Sequence, residues 1–550
     1  MRKNTETMSA ATAVVRTLMA QGIDTLYCLP GVQNDDFFDA LATIGKAIRP
    51  VHTRHEQATA YMALGAALAT GRPQSYCVVP GPGFLNTTAA LSTAFATNAP
   101  VLAISGQIPD KYIGKGVGML HEIPDQLAIM RGLTKWADRV SGAEDAATKA
   151  REAFRQMLTG APRPVALECP MNVWRKTADV AFDASVVERV AGKPDPVAIK
   201  AAAKRLSASK RPLIVVGGGA QGAATEITRL AEMLQAPVTF YRNGHGTIDA
   251  RHPLAVGYLA GYDLWKTADV VLAIGTRLQQ AMDWGKDDAM HIIQVEAGAE
   301  RVGICHTPEQ SIVADARETV LALEAALAKT LGKRADRTAE ATALKARMLD
   351  RLATALPPQK AYLDAIRAEL PDDGIFIDEL TQVGYPARFM WPTYQPRTFI
   401  GSGYQGTLGW GYAAALGAQA AMPERKVVSI NGDGGFLFGS GELSTAMRHR
   451  LPVVAIVFAD GAYGNVKRIQ TENYGGRTIA VDLHNPDFVK LAASFGMRAT
   501  RAKTPKALGK ELAAAFKSGE PALIEVPTSL GDFPSPWHFL YEMKRTRGAA

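Results

Sequence analysis

Short apolar runs alternate with longer stretches of helical periodicity along most of the chain. Runs too short for helices and rich in β-branched residues read as strands buried on both faces, and the stretches between them as covering helices. The strand candidates fall into three groups. The first holds 76–79, 101–105 and 165–168, and the second 213–216, 270–274 and 291–295. The third holds 375–378, 426–430, 453–458 and 522–526. Such alternation predicts parallel sheets with helices on both faces. Two stretches interrupt it. One, near 175–197, carries Ala191-Gly192-Lys193-Pro194-Asp195-Pro196; the other, near 328–360, is rich in Ala, Lys, Arg and Glu and ends in Pro357-Pro358. Both read as connections between domains. The expected fold is α/β, with three consecutive parallel-sheet domains at 1–175, 190–328 and 355–550.

Composition narrows the class. The chain has 550 residues, too many for a single core, of which 47% are apolar and 21% charged. No apolar run is long enough to span a membrane, so no membrane partner is expected. The polar opening Met1-Arg2-Lys3-Asn4-Thr5-Glu6-Thr7 lacks the apolar core of a signal peptide, which makes the cytoplasm the expected location. Cys28, Cys77, Cys169 and Cys305 are scattered without the short spacings of a zinc site or disulfide framework. The net charge of +8 raises the question of nucleic acid. The densest basic stretch, 329–351, mixes acids with its bases in a helical pattern, so it reads as a solvated face and no nucleic-acid partner is expected.

The candidate chemistry lies in two places. Within 432–465, Gly432-Asp433-Gly434-Gly435-Phe436 and Phe458-Ala459-Asp460-Gly461-Ala462-Tyr463-Gly464-Asn465 each set an acid at a glycine-bearing turn after an apolar run. Glycines let the backbone approach phosphate oxygens, and a hard cation takes oxygen ligands. That combination points to a Mg²⁺ site clamping a diphosphate. In the first third, Thr53-Arg54-His55-Glu56 follows a strand-like 48–52 and opens a helix-like run. Glu56 therefore falls at a strand-to-helix turn, a position that also suits an acid because of the helix dipole.

Together these segments resemble the thiamine diphosphate-dependent enzymes of the acetolactate synthase, pyruvate oxidase and benzoylformate decarboxylase group, over nearly the whole chain. The family signature is Gly-Asp-Gly followed, roughly one helix and one strand later, by Asn or Asp; Gly432-Asp433-Gly434 and Asp460 match it. Arg54-His55-Glu56 matches the family's first-domain glutamate. The resemblance implies pyrimidine-binding, central and diphosphate-binding domains, in that order. It implies that Asp433, Asp460 and the Ala462 carbonyl ligate Mg²⁺, and that Gly434 and Gly435 offer N–H groups to phosphate. Tyr463 and Gly464 would complete that cradle. Glu56 would contact N1′ of the cofactor's aminopyrimidine and shift it toward the imino form that removes the C2 proton. The segment Gly401-Ser402-Gly403-Tyr404-Gln405-Gly406-Thr407-Leu408-Gly409-Trp410-Gly411 looks like the family's bending loop, with Leu408 propping the rings and the Gly406 carbonyl accepting from the 4′-amino group. Pro30, Asn86 and Glu379 fall at positions expected near the cofactor.

The departures bear on the reaction. Leu120-His121-Glu122 stands where acetolactate synthases show Phe-Gln-Glu, which makes His121 a candidate to orient or protonate an intermediate. Val32 and Pro80 replace the Ser and His of the benzoylformate decarboxylase type, arguing against a decarboxylase with a His relay. Val32, Val466, Gln470 and Trp537 are the expected substrate-lining residues. In the middle third, Gly217-Gly218-Gly219-Ala220-Gln221-Gly222 fits a dinucleotide-binding loop. The following strand offers no acid for a ribose, so bound FAD is weighed against. The expected reaction is decarboxylation of a 2-oxo acid with acyl transfer to an aldehyde or oxo acid acceptor. The alternatives are a non-ligating decarboxylase, an FAD-linked oxidase and a non-catalytic regulatory paralogue. The resemblance implies a homodimer at minimum, and a homotetramer as the expected assembly.

Overall fold

The computed structural model describes residues 5–44 and 47–541; Met1 to Asn4 of the polar opening lie outside the described residues. Three six-stranded sheets follow one another along the chain, and every pairing within them is parallel. Numbered in chain order within each sheet, the strands of the first and third run 2-1-3-4-6-5, whereas those of the second run 3-2-1-4-5-6. The units therefore share a class, but only the outer two share a topology. Apolar periodicity marks a strand without saying which neighbour it joins. One small ribbon stands apart: Thr5–Ser9 pairs antiparallel with Thr177–Ala181.

Strand order positions the functional loops. In an open parallel sheet, ligands bind beyond the carboxyl ends of the strands, where the order reverses. In the first sheet that point lies between Thr25–Cys28 and Gln74–Val78, which lead into Pro30 and into the loop ending at Asn86. In the third it lies between Ile375–Asp378 and Val427–Gly432, which lead into Glu379 and into Asp433. The next strand, Val454–Ala459, pairs with Val427–Gly432 and delivers Asp460.

The first and third domains share one core. Helices Glu56–Thr70 and Gly411–Ala421 are Ala-rich and cross in close contact. A Cβ on Gly65 would run into the Ala414 backbone carbonyl, and one on Gly417 into that of Met62. Backbone cannot withdraw as a flexible side chain can. Gly65→Val is therefore expected to cost at least the ~1–3 kcal/mol of an overpacked core. A lowered apparent melting midpoint in scanning calorimetry would check this, and an unchanged midpoint would refute the packing account.

Candidate active site

The first-sheet half of the site is built around Glu56. This residue opens the helix Glu56–Thr70, with His55 as N-cap: His55 Nδ1 accepts from the Gln57 N–H at 3.2 Å. Its carboxylate accepts from Asn86 Nδ2 at 3.0 Å, and a Cβ on Gly83 would lie 3.6 Å from it. Asn86 ends the short helix Pro82–Asn86, and both it and Pro30 are exposed. His121 stands at the edge of this half, with Nδ1 3.1 Å from Gln33 Oε1. Its φ of 69° is unusual for a non-glycine residue and marks a tightly held turn. Val32, next to Gln33, is 49% exposed.

The third-sheet half is a cavity of about 200 Å³ lined by Leu408, Asp433, Asp460, Ala462, Val466 and Gln382, among others. Three N–H donors converge on Asp433: Gly434 at 2.8 Å, Gly461 at 2.8 Å and Asn485 Nδ2 at 2.7 Å. Asp460 Oδ1 accepts from the Ala462 N–H at 3.2 Å. Burial and the nearby Asp433 carboxylate push Asp460 up to about 6. The chain at Ala462 is fixed by bonds from Tyr463 N–H to Val481 and from Leu483 N–H to Gly461, neither of which uses the Ala462 carbonyl. Gly406 and Gly409 both adopt positive φ, 63° and 74°, in the loop that presents Leu408. Gly406, Gly434, Gly435, Tyr463 and Gly464 all line the cavity.

The donor set fits a hard cation. Two carboxylates face one cavity, and two buried amide oxygens beside it, Gln382 Oε1 and Asn485 Oδ1, lack a hydrogen-bond partner. Buried acceptors of this kind normally find a partner, and a hydrated divalent ion supplies one. Among the described residues no cluster of three His, Cys, Asp or Glu side chains occurs, so a metal here would depend on carbonyl and phosphate oxygens as well.

Several expectations meet different surroundings. Glu379 is buried, and both of its carboxylate oxygens are engaged, by the N–H groups of Gly409 at 2.7 Å and Gly411 at 3.2 Å. It braces the Leu408 loop from behind rather than reaching a diphosphate, and burial pushes it up to about 7. Gln470 pairs in both directions with the Ile479 backbone and does not line the cavity. Trp537 packs on Tyr385 with ring centroids 4.8 Å apart, and its Nε1 donates to Asn465 Oδ1 at 2.7 Å. Through those two lining residues it backs the cavity wall. Gln382 and Asn485 escaped the sequence reading, because they stand in loops whose meeting depends on strand order; Asn465, at the end of the 432–465 stretch, lies in the first turn of the helix Gly464–Asn473.

Within one chain the two halves do not share a cavity. Among the described residues lining the Asp433 cavity, Glu56, Asn86, Val32 and His121 are absent. A further cavity of about 340 Å³ opens at the switch point of the second sheet, lined by Gly218, Gly219, Gly275, Glu296, Arg301 and Asp315, among others. Its acids, Glu296 and Asp315, come from the ends of the last two strands of that sheet. Burial raises Glu296 to about 7 and lowers Arg301 to about 10.

Three parallel-sheet α/β domains with two carboxylates at one cavity beyond the strand ends define an α/β protein with a candidate ligand site. Comparison with known proteins identifies which kind. Residues 8–129 match the N-terminal TPP binding domain of thiamine pyrophosphate enzymes, residues 199–323 the central domain, and residues 381–526 the C-terminal TPP binding domain. The chain belongs to the thiamine pyrophosphate (diphosphate) enzyme family. It is 32% identical over 533 residues to the probable 2-ketoarginine decarboxylase AruI of Pseudomonas aeruginosa, covering 95% of this chain and 94% of that protein. It is 33% identical over 548 residues to a probable acetolactate synthase large subunit of Methanocaldococcus jannaschii, covering 94% and 92%. Acetolactate synthase isozyme 3 large subunit of Escherichia coli is 29% identical over 544 residues, with 93% of each chain covered. Among the described residues no helix is long and apolar enough to cross a membrane.

Proposed function

We propose that this enzyme decarboxylates a 2-oxo acid and transfers the acyl unit to an aldehyde or oxo acid acceptor, as an acetolactate synthase-like carboligase using thiamine diphosphate and Mg²⁺. The observation carrying the reading is the cavity in which Asp433 and Asp460 stand at the ends of paired strands beside Leu408. Asp433, Asp460 and the Ala462 carbonyl hold the metal; Gly434, Gly435, Tyr463 and Gly464 cradle the diphosphate. When bound, the cofactor supplies an electron sink for cleaving the bond beside the substrate's carbonyl. Glu56 holds a carboxylate at the pyrimidine N1′, oriented by Asn86. Leu408 and the Gly406 carbonyl, both at the cavity, would support the cofactor's rings. Val32, Val466 and His121 flank the substrate, and Trp537 shapes its wall through Tyr385 and Asn465.

Because Glu56 and Asp433 face different spaces within one chain, two copies complete two sites, and the functional unit is a homodimer or a pair of them. A non-ligating decarboxylase is the second reading, favoured by the similarity to the probable 2-ketoarginine decarboxylase. A flavin is not assigned. The strand after the glycine loop carries no acid for a ribose; the cavity of about 340 Å³ at that loop, with a narrower one of about 90 Å³ toward Arg242 and Tyr404, does fall within the ~300–1,000 Å³ typical of ligand pockets, so the colour of the protein is part of the test.

The test is incubation of purified enzyme, Mg²⁺ and thiamine diphosphate with a panel of 2-oxo acids, with and without an aldehyde, read by mass spectrometry. Acyl-transfer product and a colourless protein are expected. Free aldehyde as sole product would favour the second reading, and a yellow protein would overturn the flavin-free assignment.

A further inference from the structure

Outside the site just described, one buried carboxylate reaches from the third domain into the first. Glu442 is 1% exposed and follows Asp433 on the same segment, at the end of the turn Ser440–Glu442. Its Oε1 accepts from the backbone N–H groups of Arg54 and His55, each at 3.1 Å, and its Oε2 from that of Arg54 at 3.1 Å. The Thr445 hydroxyl donates to Oε2 as well. The next residue in the chain after these two amides is Glu56.

We propose that Glu442 is a positioning residue for Glu56: its carboxylate grips the turn at Arg54 and His55 and thereby sets where the Glu56 carboxylate stands. The inference rests on reading Glu56 as the group that faces the cofactor's pyrimidine. A carboxylate spanning two consecutive amides fixes both the place and the tilt of that peptide segment, since charge-assisted hydrogen bonds are short and directional. The turn needs such a grip. The first domain holds this turn by the His55 ring, which caps the helix, and by the His55 carbonyl, which accepts from the Thr53 hydroxyl at 3.0 Å; the N–H groups of Arg54 and His55 go to Glu442. Burying an acid is costly unless it is hydrogen-bonded, and burial does raise Glu442 above the ordinary glutamate range. A neutral residue would join the two domains at lower cost, so a buried charge here points to a demand for geometry. Simple adhesion is available nearby: His449 Nε2, one helix on, lies 3.2 Å from the His52 carbonyl, and its ring meets the His52 ring edge to face.

The test compares Glu442→Ala and Glu442→Gln with His449→Ala, which disturbs the same domain junction without touching the two amides. Three quantities are read: amide hydrogen exchange of residues 53–57 in cofactor-free protein, thiamine diphosphate affinity by tryptophan fluorescence, and C2–H exchange of the bound cofactor by NMR. Glu442→Ala is expected to lose amide protection at 54–55 and to slow C2–H exchange by about 10–100-fold, the scale of an ångström's misplacement, with affinity nearly unchanged. Glu442→Gln keeps one acceptor oxygen and should fall between, and it carries the test should the Ala variant fail to fold. His449→Ala should leave C2–H exchange near wild type. Wild-type C2–H exchange in the Glu442 variants overturns the proposal, as does a loss merely proportional to lost affinity. Loss of exchange in Glu56→Gln without loss in Glu442→Ala overturns the proposal alone; no loss in Glu56→Gln overturns the reading beneath it.

Discussion

Glu56→Gln is expected to slow C2–H exchange of bound thiamine diphosphate by about 10²–10⁴-fold, the range a positioned acid–base group contributes. The substitution keeps the size of the side chain and an oxygen for the Asn86 amide, whose bond to Glu56 measures 3.0 Å. What it removes is the charge. On the proposed reading the diphosphate end would be held at Asp433 and Asp460, in the other half of the site, so affinity should change little. The split between binding and exchange is the diagnostic feature. A variant that failed to bind would show only that Glu56 supports the pocket. A variant that bound and exchanged like wild type would remove Glu56 from the chemistry. Quenched deuterium exchange followed by NMR, alongside a fluorescence titration for affinity, separates these cases. Asn86→Ala should fall short of the glutamine effect, because it leaves the charge in place and removes only one of its anchors.

The parts of this site that the sequence displayed are those with a local cause. Asp433 and Asp460 each follow an apolar strand and stand next to a glycine, and the strand, the turn and the acid are adjacent in the chain. Glu56 opens a helix after His55, which is again local. What the sequence could not display depends on strand order. Asn485 donates to Asp433 across 52 positions from a stretch without periodic pattern. Gln382 reaches the cavity only because Ile375–Asp378 pairs with Val427–Gly432. Glu379 shows the converse. Its position beside the cradle was legible, but its direction was not, and the N–H groups of Gly409 and Gly411 turn it away from the cavity. The central sheet makes the same point at the scale of a domain. Its strands carry the same apolar pattern as the others, yet its order is 3-2-1-4-5-6.

Asp460→Asn is expected to act in opposite directions on the empty and the loaded protein. In the metal-free chain Asp460 titrates near 6, above the ordinary value of 3.8, because it is partly buried and stands near Asp433. The folded chain therefore holds this proton more tightly than the unfolded chain does. The resulting stability is full below the ordinary value and is lost as pH rises through about 6. At pH 8 the ionised group works against folding, and asparagine, which keeps an oxygen for the Ala462 N–H, removes that burden. The metal-free variant should melt higher than wild type at pH 8 and about equally at pH 4. With Mg²⁺ and thiamine diphosphate present the order should reverse, since a divalent ion favours the ionised ligand and a second carboxylate binds it more strongly than an amide. Asp460→Ala, which loses the ligand oxygen altogether, should weaken Mg²⁺ binding by at least the ~10–100-fold that loss of an outer-shell partner costs. Scanning calorimetry at the two pH values, with and without metal and cofactor, reads all four states. Equal Mg²⁺ requirement in wild type and Asp460→Ala would remove Asp460 from the metal. A lower midpoint for metal-free Asp460→Asn at pH 8 would show that the two carboxylates are not in conflict. On the proposed reading, the pairing is a cost to the metal-free protein that a bound cation would offset, so the charge that would hold the cofactor is the charge that opposes folding without it.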